Sequence, residues 1–332
     1  MFLYEKDSRT ARPMASTTKL MTALLASQTL SPDAVVTVPA AALPVEGSQV
    51  GLMAGDAATV RDLMAGLLLS SGNDAANALA LLMADSLPDF AVQMNVQAAR
   101  LGMTDSHFVT PSGLDAEGHG ASARDMALLG AAVLREPVAA GLCAAKTASV
   151  TIGGRHMTLS NHNKLLKLYD GCIGMKTGFT KKSGRCLVSA VTRDGVTLVI
   201  ATLNGGDYWN DHMALYDYAF SLVERRELPA AAPDTCPVAG GVCPAVRLTA
   251  ELPPAVVLRR GATISTAVEL PRFVWAPVPS GAVLGRVRYT AGDRLLAAVE
   301  LRAADAVAAR PVPGAWALFW RRFVQLVWAL IS

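Results

Sequence analysis

The chain has 332 residues, 52% of them hydrophobic and only 17% charged, against about 25% charged in ordinary soluble domains. That length suggests two domains with ample chain for a core; the composition excludes disorder, and no clean apolar run of about 18 residues is present to span a membrane. Thirty basic against twenty-seven acidic residues give +3 with no Lys/Arg-rich run, which argues against nucleic-acid binding.

In chain order, Met1-Phe2-Leu3-Tyr4-Glu5-Lys6 has no basic segment leading into an apolar one, so no signal peptide is visible. Pro13 followed by Met14, Leu20, Met21, Leu24 and Leu25 at helical spacing predicts a helix over 14–30. Further helices are expected at 60–69, 75–84, 91–101 and 123–134. They are rich in alanine, the residue that occurs 57 times in the chain, and the one at 60–69 is apolar almost all round, as a helix buried between neighbours is. Leu187–Thr192 and Val196–Thr202 read as strands, and the Arg193-Asp194-Gly195 between them is a hairpin signal. Helix returns at 211–224. Early helices and later antiparallel strands point to an α+β architecture.

A linker-like stretch at 228–235 separates this first domain, 1–228, from a small all-β domain at 235–308. The tail, 315–332, is a separate element. At 100° per residue, Trp316, Phe319, Trp320, Phe323, Leu326, Val327, Leu330 and Ile331 share one face, while Arg321, Arg322, Gln325 and Ser332 gather on the other. Such a helix suits the membrane interface plane, and two mid-segment arginines would be costly in a span. Docking on its own protein or on a partner is the alternative.

Three short motifs carry chemistry. Ser16-Thr17-Thr18-Lys19 is S-x-x-K at a helix start, where positions i and i+3 share a face. A serine hydroxyl needs a base to become a nucleophile, and a lysine can be that base if burial or a neighbouring cation keeps it neutral. Ser71-Gly72-Asn73 sits in a break between two buried helices and can set a hydroxyl and an amide over a cleft. Lys176-Thr177-Gly178 ends an edge-strand-like stretch, where it can hold a carboxylate while backbone N–H groups face the reacting carbonyl. Each motif alone is common helix-cap, turn or strand-end chemistry. In this order they form the signature of penicillin-binding proteins and serine β-lactamases.

With the phrases Pro13–Thr22, Ser71–Ala76 and Gly174–Thr180, the chain resembles the serine-type D-alanyl-D-alanine carboxypeptidases, the low-molecular-weight penicillin-binding proteins. The resemblance covers about residues 2–225 and extends to the β-domain and the tail. It implies a β-lactamase/transpeptidase-like domain, the small all-β domain and a C-terminal amphipathic anchor on the outer face of the cytoplasmic membrane. It also implies Ser16 as nucleophile toward the D-Ala-D-Ala end of a peptidoglycan stem peptide, Lys19 as general base, Ser71 as proton relay and Asn73 as orienting amide. Lys176 would supply charge, Thr177 would bind the terminal carboxylate, and Gly178 would belong to the substrate-binding strand. The N–H groups of Ser16 and Phe179 would form the oxyanion hole, where one donor is typically worth about 3 kcal/mol. β-Lactams would acylate Ser16, and neither cofactor nor metal is implied.

Departures accompany the match. Tyr208-Trp209 stand where relatives carry an arginine that assists carboxylate recognition, which shifts that role toward Lys176 and Thr177. The family's signal peptide and the strands preceding S-x-x-K are missing, as though the beginning were truncated. A β-lactamase lacks support because no E-x-x-L-N motif is present, and a catalytically inactive wall-binding homologue is the non-enzyme alternative. His107, His119, His156, His162 and His212 have no partner motif and read as surface or loop residues. Cys236 and Cys243 can close one disulfide or remain free thiols. Cys172 and Cys186, flanking the K-T-G strand, read as small buried residues.

Overall fold

The computed structural model describes residues 1–251, 255–311 and 314–331. They form two compact units, Met1–Leu222 and Val223–Ser332. In the first, a 3-10 turn (Ala15–Thr18) leads into α1 (Lys19–Thr29), buried from Lys19 to Ala26. Against α1 pack α2 (Val60–Leu68), α3 (Asn73–Met83), α4 (Leu87–Arg100), α5 (Ala123–Val133) and α6 (Pro137–Ala144). Thr59, Ser86 and Ser122 cap α2, α4 and α5 by accepting from the N–H three residues on. Buried alanines at 23, 26, 75, 76, 78 and 80 leave little side-chain bulk, so these helices close tightly.

Two sheets complete the unit. One joins β1 (Val35–Thr37), β2 (Ala57–Thr59), β3 (Thr147–Ile152) and β4 (Arg155–Ser160) in that order. The other joins β5 (Cys172–Thr180), β6 (Gly184–Arg193) and β7 (Val196–Thr202), with α7 (Leu165–Leu168) before it and α8 (Tyr208–Leu222) after it. All pairings in both are antiparallel. Strand alternation sends Val188 toward Gly130 of α5 and Ser189 toward His212 of α8, so helices cover both faces of β6. Strand β5 is left at the edge.

In the second unit β8 (Val223–Arg226) pairs with β11 (Val256–Arg259). The strands β9 (Thr235–Ala239), β10 (Ala245–Thr249), β12 (Ser265–Glu269), β13 (Val274–Trp275), β14 (Val283–Ala291) and β15 (Arg294–Ala303) form a sheet in the order β12-β14-β15-β10-β9-β13. Two small cores serve it, one around Cys236 and Val246, the other around Tyr289 and Leu301. Helix α9 (Ala315–Ile331) ends the described chain. The side chains of Leu330 and Ile331, and residue Ser332, lie outside the described residues. Among the described residues no single helix is long and apolar enough to cross a membrane.

Several expectations need adjustment. The segment 14–30 is not one α-helix, because Ala15 is left-handed (φ 46°) and the chain runs through the 3-10 turn first. Helix α3 begins at Asn73 and α4 at Leu87, both earlier than periodicity alone places them. Residues 223–226 pair within the second unit, so the first unit ends at Leu222 and not at residue 228, where the linker-like stretch begins. Cys236 and Cys243 are free thiols; Cys186 is buried and Cys172 half-buried.

The histidine expectation fails at His212, which is buried on α8; His119 is a loop residue, though a buried one. His119 and His212 are buried, whereas His107, His156 and His162 are exposed. His212 sits in a closed network: its Nδ1 is 2.7 Å from Ser189 Oγ, its Nε2 is 2.9 Å from Thr202 Oγ1, and Ser189 Oγ is 2.6 Å from Tyr216 OH. Burial pushes its pKa down to about 3. The folded state therefore binds fewer protons than the unfolded state between that value and the ordinary one near 6.5. The resulting stability is fully present above about pH 6.5 and is lost as pH falls toward 3. Thermal unfolding followed from pH 7 to pH 4 is expected to show a falling midpoint, and His212→Gln to flatten that dependence. An unchanged slope in the variant would contradict this.

Candidate active site

The S-x-x-K segment places Ser16 within the 3-10 turn and Lys19 at the first residue of α1. A 3-10 turn has about three residues per turn, so i and i+3 eclipse one another more fully than on an α-helix. Lys19 Nζ lies 3.0 Å from Ser16 Oγ, 2.6 Å from Asn73 Oδ1 and 2.7 Å from the Ser112 carbonyl oxygen. Its side chain is fully buried. An uncharged amine has two N–H donors and one lone pair. Asn73 Oδ1, the Ser112 carbonyl and the Ser16 hydroxyl would satisfy the three donors of an ammonium, and a neutral amine keeps the first two by donation and turns its lone pair to the Ser16 hydroxyl, so burial and neighbouring charge decide between the two forms.

Electrostatics favour that neutral form. Burial is the main cause holding the Lys19 pKa well below 10.5; the Lys176 ammonium adds to it and Asp74 partly opposes it. Lys176 is buried as well, and burial pushes its pKa down to about 8. Its Nζ donates to the Thr177 carbonyl at 3.0 Å.

Asn73 is held from two sides. Its Nδ2 donates to the Glu46 carbonyl (2.6 Å) and its backbone N–H to the Ser48 carbonyl (2.7 Å), which turns Oδ1 toward Lys19. The loop carrying these carbonyls is fixed by buried Asp74, whose carboxylate accepts from the N–H groups of Val50, Gly51 and Leu52. Ser71 is buried and left-handed at φ 61°, and it lines the cleft with Ser16. Among the described residues its hydroxyl makes no hydrogen bond to Ser16 or Lys19.

The Ser112 carbonyl is positioned from behind. Gly113, at φ 84°, packs so closely that a Cβ there would lie 1.9 Å from the Ala15 carbonyl oxygen, and only glycine fits. His119 Nδ1 accepts from the Val109 N–H at 2.9 Å, which fixes the tautomer, so Nε2 donates to Thr18 Oγ1 at 3.0 Å. Burial pushes the His119 pKa down to about 4, keeping the ring neutral.

On the opposite wall β5 presents Lys176, Thr177, Gly178 and Phe179. A Cβ on Gly178 would lie 3.0 Å from Ser16 N and from the Met14 carbonyl oxygen, so any larger residue would press the strand against the turn. Thr177, Gly178 and exposed Phe179 line a cleft of about 590 Å³ with Ser16 and Ser71. The structure therefore brings all eight sequence-identified residues to one place, with Lys176 beneath the surface. Ser112, Asp74 and Arg185 escaped sequence reasoning, and of these Arg185 lines the cleft. Asp74 acts on the 50–52 loop and not on the site itself, Ser112 contributes only backbone, and Arg185 stands outside every motif. Among the described residues no cluster of His, Cys, Asp or Glu is placed to hold a metal ion.

A serine hydroxyl beside a buried lysine, on a helical cluster packed against an antiparallel sheet, is the arrangement of penicillin-binding serine hydrolases. A family model described as D-alanyl-D-alanine carboxypeptidase matches residues 1–206. The D-alanyl-D-alanine carboxypeptidase DacB2 of Mycobacterium tuberculosis is 38% identical over 225 residues, covering 65% of this chain and 77% of its own. DacF of Bacillus subtilis, described by the same activity, is 29% identical over 310 residues, covering 89% and 79%. The crystal structure of penicillin binding protein 5 from Haemophilus influenzae superposes with a TM-score of 0.71 at 26% identity, covering 93% of this chain and 94% of that one. The chain belongs to the D-alanyl-D-alanine carboxypeptidase family, serine hydrolases of peptidoglycan metabolism.

Proposed function

We propose that Ser16 carries an acyl-enzyme in which the terminal D-alanine of a peptidoglycan stem peptide has been released. The observation supporting this most directly is the buried Lys19 amine 3.0 Å from Ser16 Oγ, with burial holding its pKa well below the ordinary value. Ser16 Oγ attacks the carbonyl between the two D-alanines while Lys19 Nζ takes its proton. The negative charge developing on the carbonyl oxygen falls to the N–H groups of Ser16 and Phe179. Ser71 relays the proton to the departing amine, and Asn73 holds Lys19 and the substrate amide. Water then cleaves the ester, and Thr177 together with the K-T-G strand holds the peptide. β-Lactams enter by the same attack and open on Ser16. The family match does not favour a β-lactamase or an inactive homologue.

Labelling with a fluorescent penicillin and release of D-alanine from a D-Ala-D-Ala peptide are expected for the wild type and lost in Ser16→Ala. An unlabelled wild type would sink the enzymatic reading, and label that turns over rapidly would favour the β-lactamase. The same labelling carries a pH signature. Below about pH 8 the charge on Lys176 helps hold Lys19 neutral, and above that value the charge is lost. Lys176→Met should therefore move the rising, low-pH limb of the acylation rate to higher pH; a limb left where the wild type has it would count against this role of Lys176.

The substrate polymer lies outside the cytoplasmic membrane, and we place the enzyme there, held at the membrane surface by α9. Its ring contacts Trp316–Phe319, Phe319–Phe323 and Trp320–Phe323 form a continuous aromatic row, and Arg321 and Arg322 are exposed. Aromatic and basic residues on separate faces suit an interfacial helix. Co-sedimentation with anionic liposomes is expected for the full chain and not for one lacking 315–332. Equal binding by both would remove the anchor.

A further inference from the structure

The proposed substrate ends in a carboxylate, and binding it in a partly dehydrated cleft calls for a cation at the Thr177 end. Lys176 is badly placed to serve, because it is buried, absent from the cleft wall, and already donates to the Thr177 carbonyl. Tyr208 and Trp209, whose rings lie 4.4 Å apart, bring no charge at the start of α8.

The geometry points to Arg185 as the residue that selects for the terminal carboxylate. It is exposed at the start of β6 and lines the cleft with Thr177, Gly178, Phe179 and Tyr208. The register pairs Phe179 with Arg185 and Thr177 with Leu187. Side chains alternate along a strand, so Thr177, Phe179 and Arg185 project from the same face of the sheet. Thr177 and Arg185 are then diagonal neighbours, about 7–8 Å apart at the backbone, within reach of a long side chain.

The guanidinium is held yet largely uncommitted. Its Nη1 donates to the Gly206 carbonyl at 3.1 Å, and among the described residues no carboxylate forms an ion pair with it. Asp207, on the same wall, accepts instead from Asn210 Nδ2 at 2.7 Å. A guanidinium has five N–H donors in a planar fork matched to a carboxylate, so four remain to meet one oxygen while the Thr177 hydroxyl meets the other. The cleft's other side-chain cation, Lys164, is exposed just before α7 and lies outside this β5–β6 cluster. The role of a carboxylate-binding arginine is thereby moved from the approach to α8 onto the start of β6.

This inference rests on the carboxypeptidase reading, and its test separates the two. An N-acylated L-Lys-D-Ala-D-Ala peptide and its C-terminal carboxamide would be compared as substrates for wild type, Arg185→Gln, Arg185→Lys and Lys164→Gln, each checked for an unchanged unfolding midpoint. A charge-assisted pair lost in Arg185→Gln should cost the acid ten- to hundredfold in kcat/KM, mostly through KM, with the amide changed less than twofold and Arg185→Lys intermediate. Penicillin acylation against that of its carboxyl methyl ester should show the same split. Equal losses for acid and amide, no loss for either, or a selectivity that disappears in Lys164→Gln instead would each overturn the assignment of Arg185. A wild type that neither cleaves the peptide nor is acylated would overturn the carboxypeptidase reading, and this inference with it.

Discussion

A lysine amine kept out of water is what the rest of the first unit is arranged around. Burying an ammonium without compensation costs far more than any one contact returns, so such a group gives up its proton or is lavishly paired. Lys19 is lowered in proton affinity by burial and by Lys176, and it is positioned by a carbonyl from the Gly113 turn, an amide oxygen from the first residue of α3, and a hydroxyl one 3-10 turn upstream. Each comes from a different part of the chain, and Asn73 is itself fixed by its backbone and side-chain N–H groups. The helical cluster thus acts less as a shell around a site than as the device that sets the proton affinity of one nitrogen.

The second buried lysine makes that setting directional. Lys176 approaches from the sheet side, so two like charges would compete for the same dry volume, and Lys19, already disfavoured by burial, yields first. Asp74 pulls the other way, but its carboxylate is committed to the N–H groups of the 50–52 loop. This balance needs helix cluster and sheet edge to be pressed together, and the bare backbone of Gly178 is what allows that approach.

Much of this was legible in the sequence, and unevenly so. The Asp194-Gly195 hairpin, the edge position of β5 and the long apolar helices follow from local patterns that tertiary structure did not override. The three motifs pointed to the eight residues because most of them are polar residue types at recognisable spacings. What stayed hidden has no local signature. Ser112 acts through a carbonyl, and Arg185 matters only through its register with Phe179. The β1–β4 sheet was missed because its first two strands have three residues each and pair with partners far along the chain. Only the Gly153-Gly154 pair between β3 and β4 hinted at it. The helical place of His212 and the burial of both His119 and His212 were not legible, because burial of a neutral imidazole depends on partners supplied from elsewhere, among them the Val109 amide and Thr202.

Three of the non-glycine residues with positive φ stand at the motifs: Ala15 (46°) beside Ser16, Ser71 (61°) itself, and Met175 (87°) beside Lys176. A side chain in that region costs roughly 1–3 kcal/mol, and glycine would sit there without complaint. Glycine, however, would also widen the set of backbone angles open to each hinge of the cleft. The molecule thus gives up conformational comfort to narrow its own freedom where three separate segments must agree to within fractions of an ångström. A relaxed backbone at these points would describe a sturdier protein and a vaguer instrument, so gains in thermal resistance and gains in turnover should not be expected to come from the same substitutions.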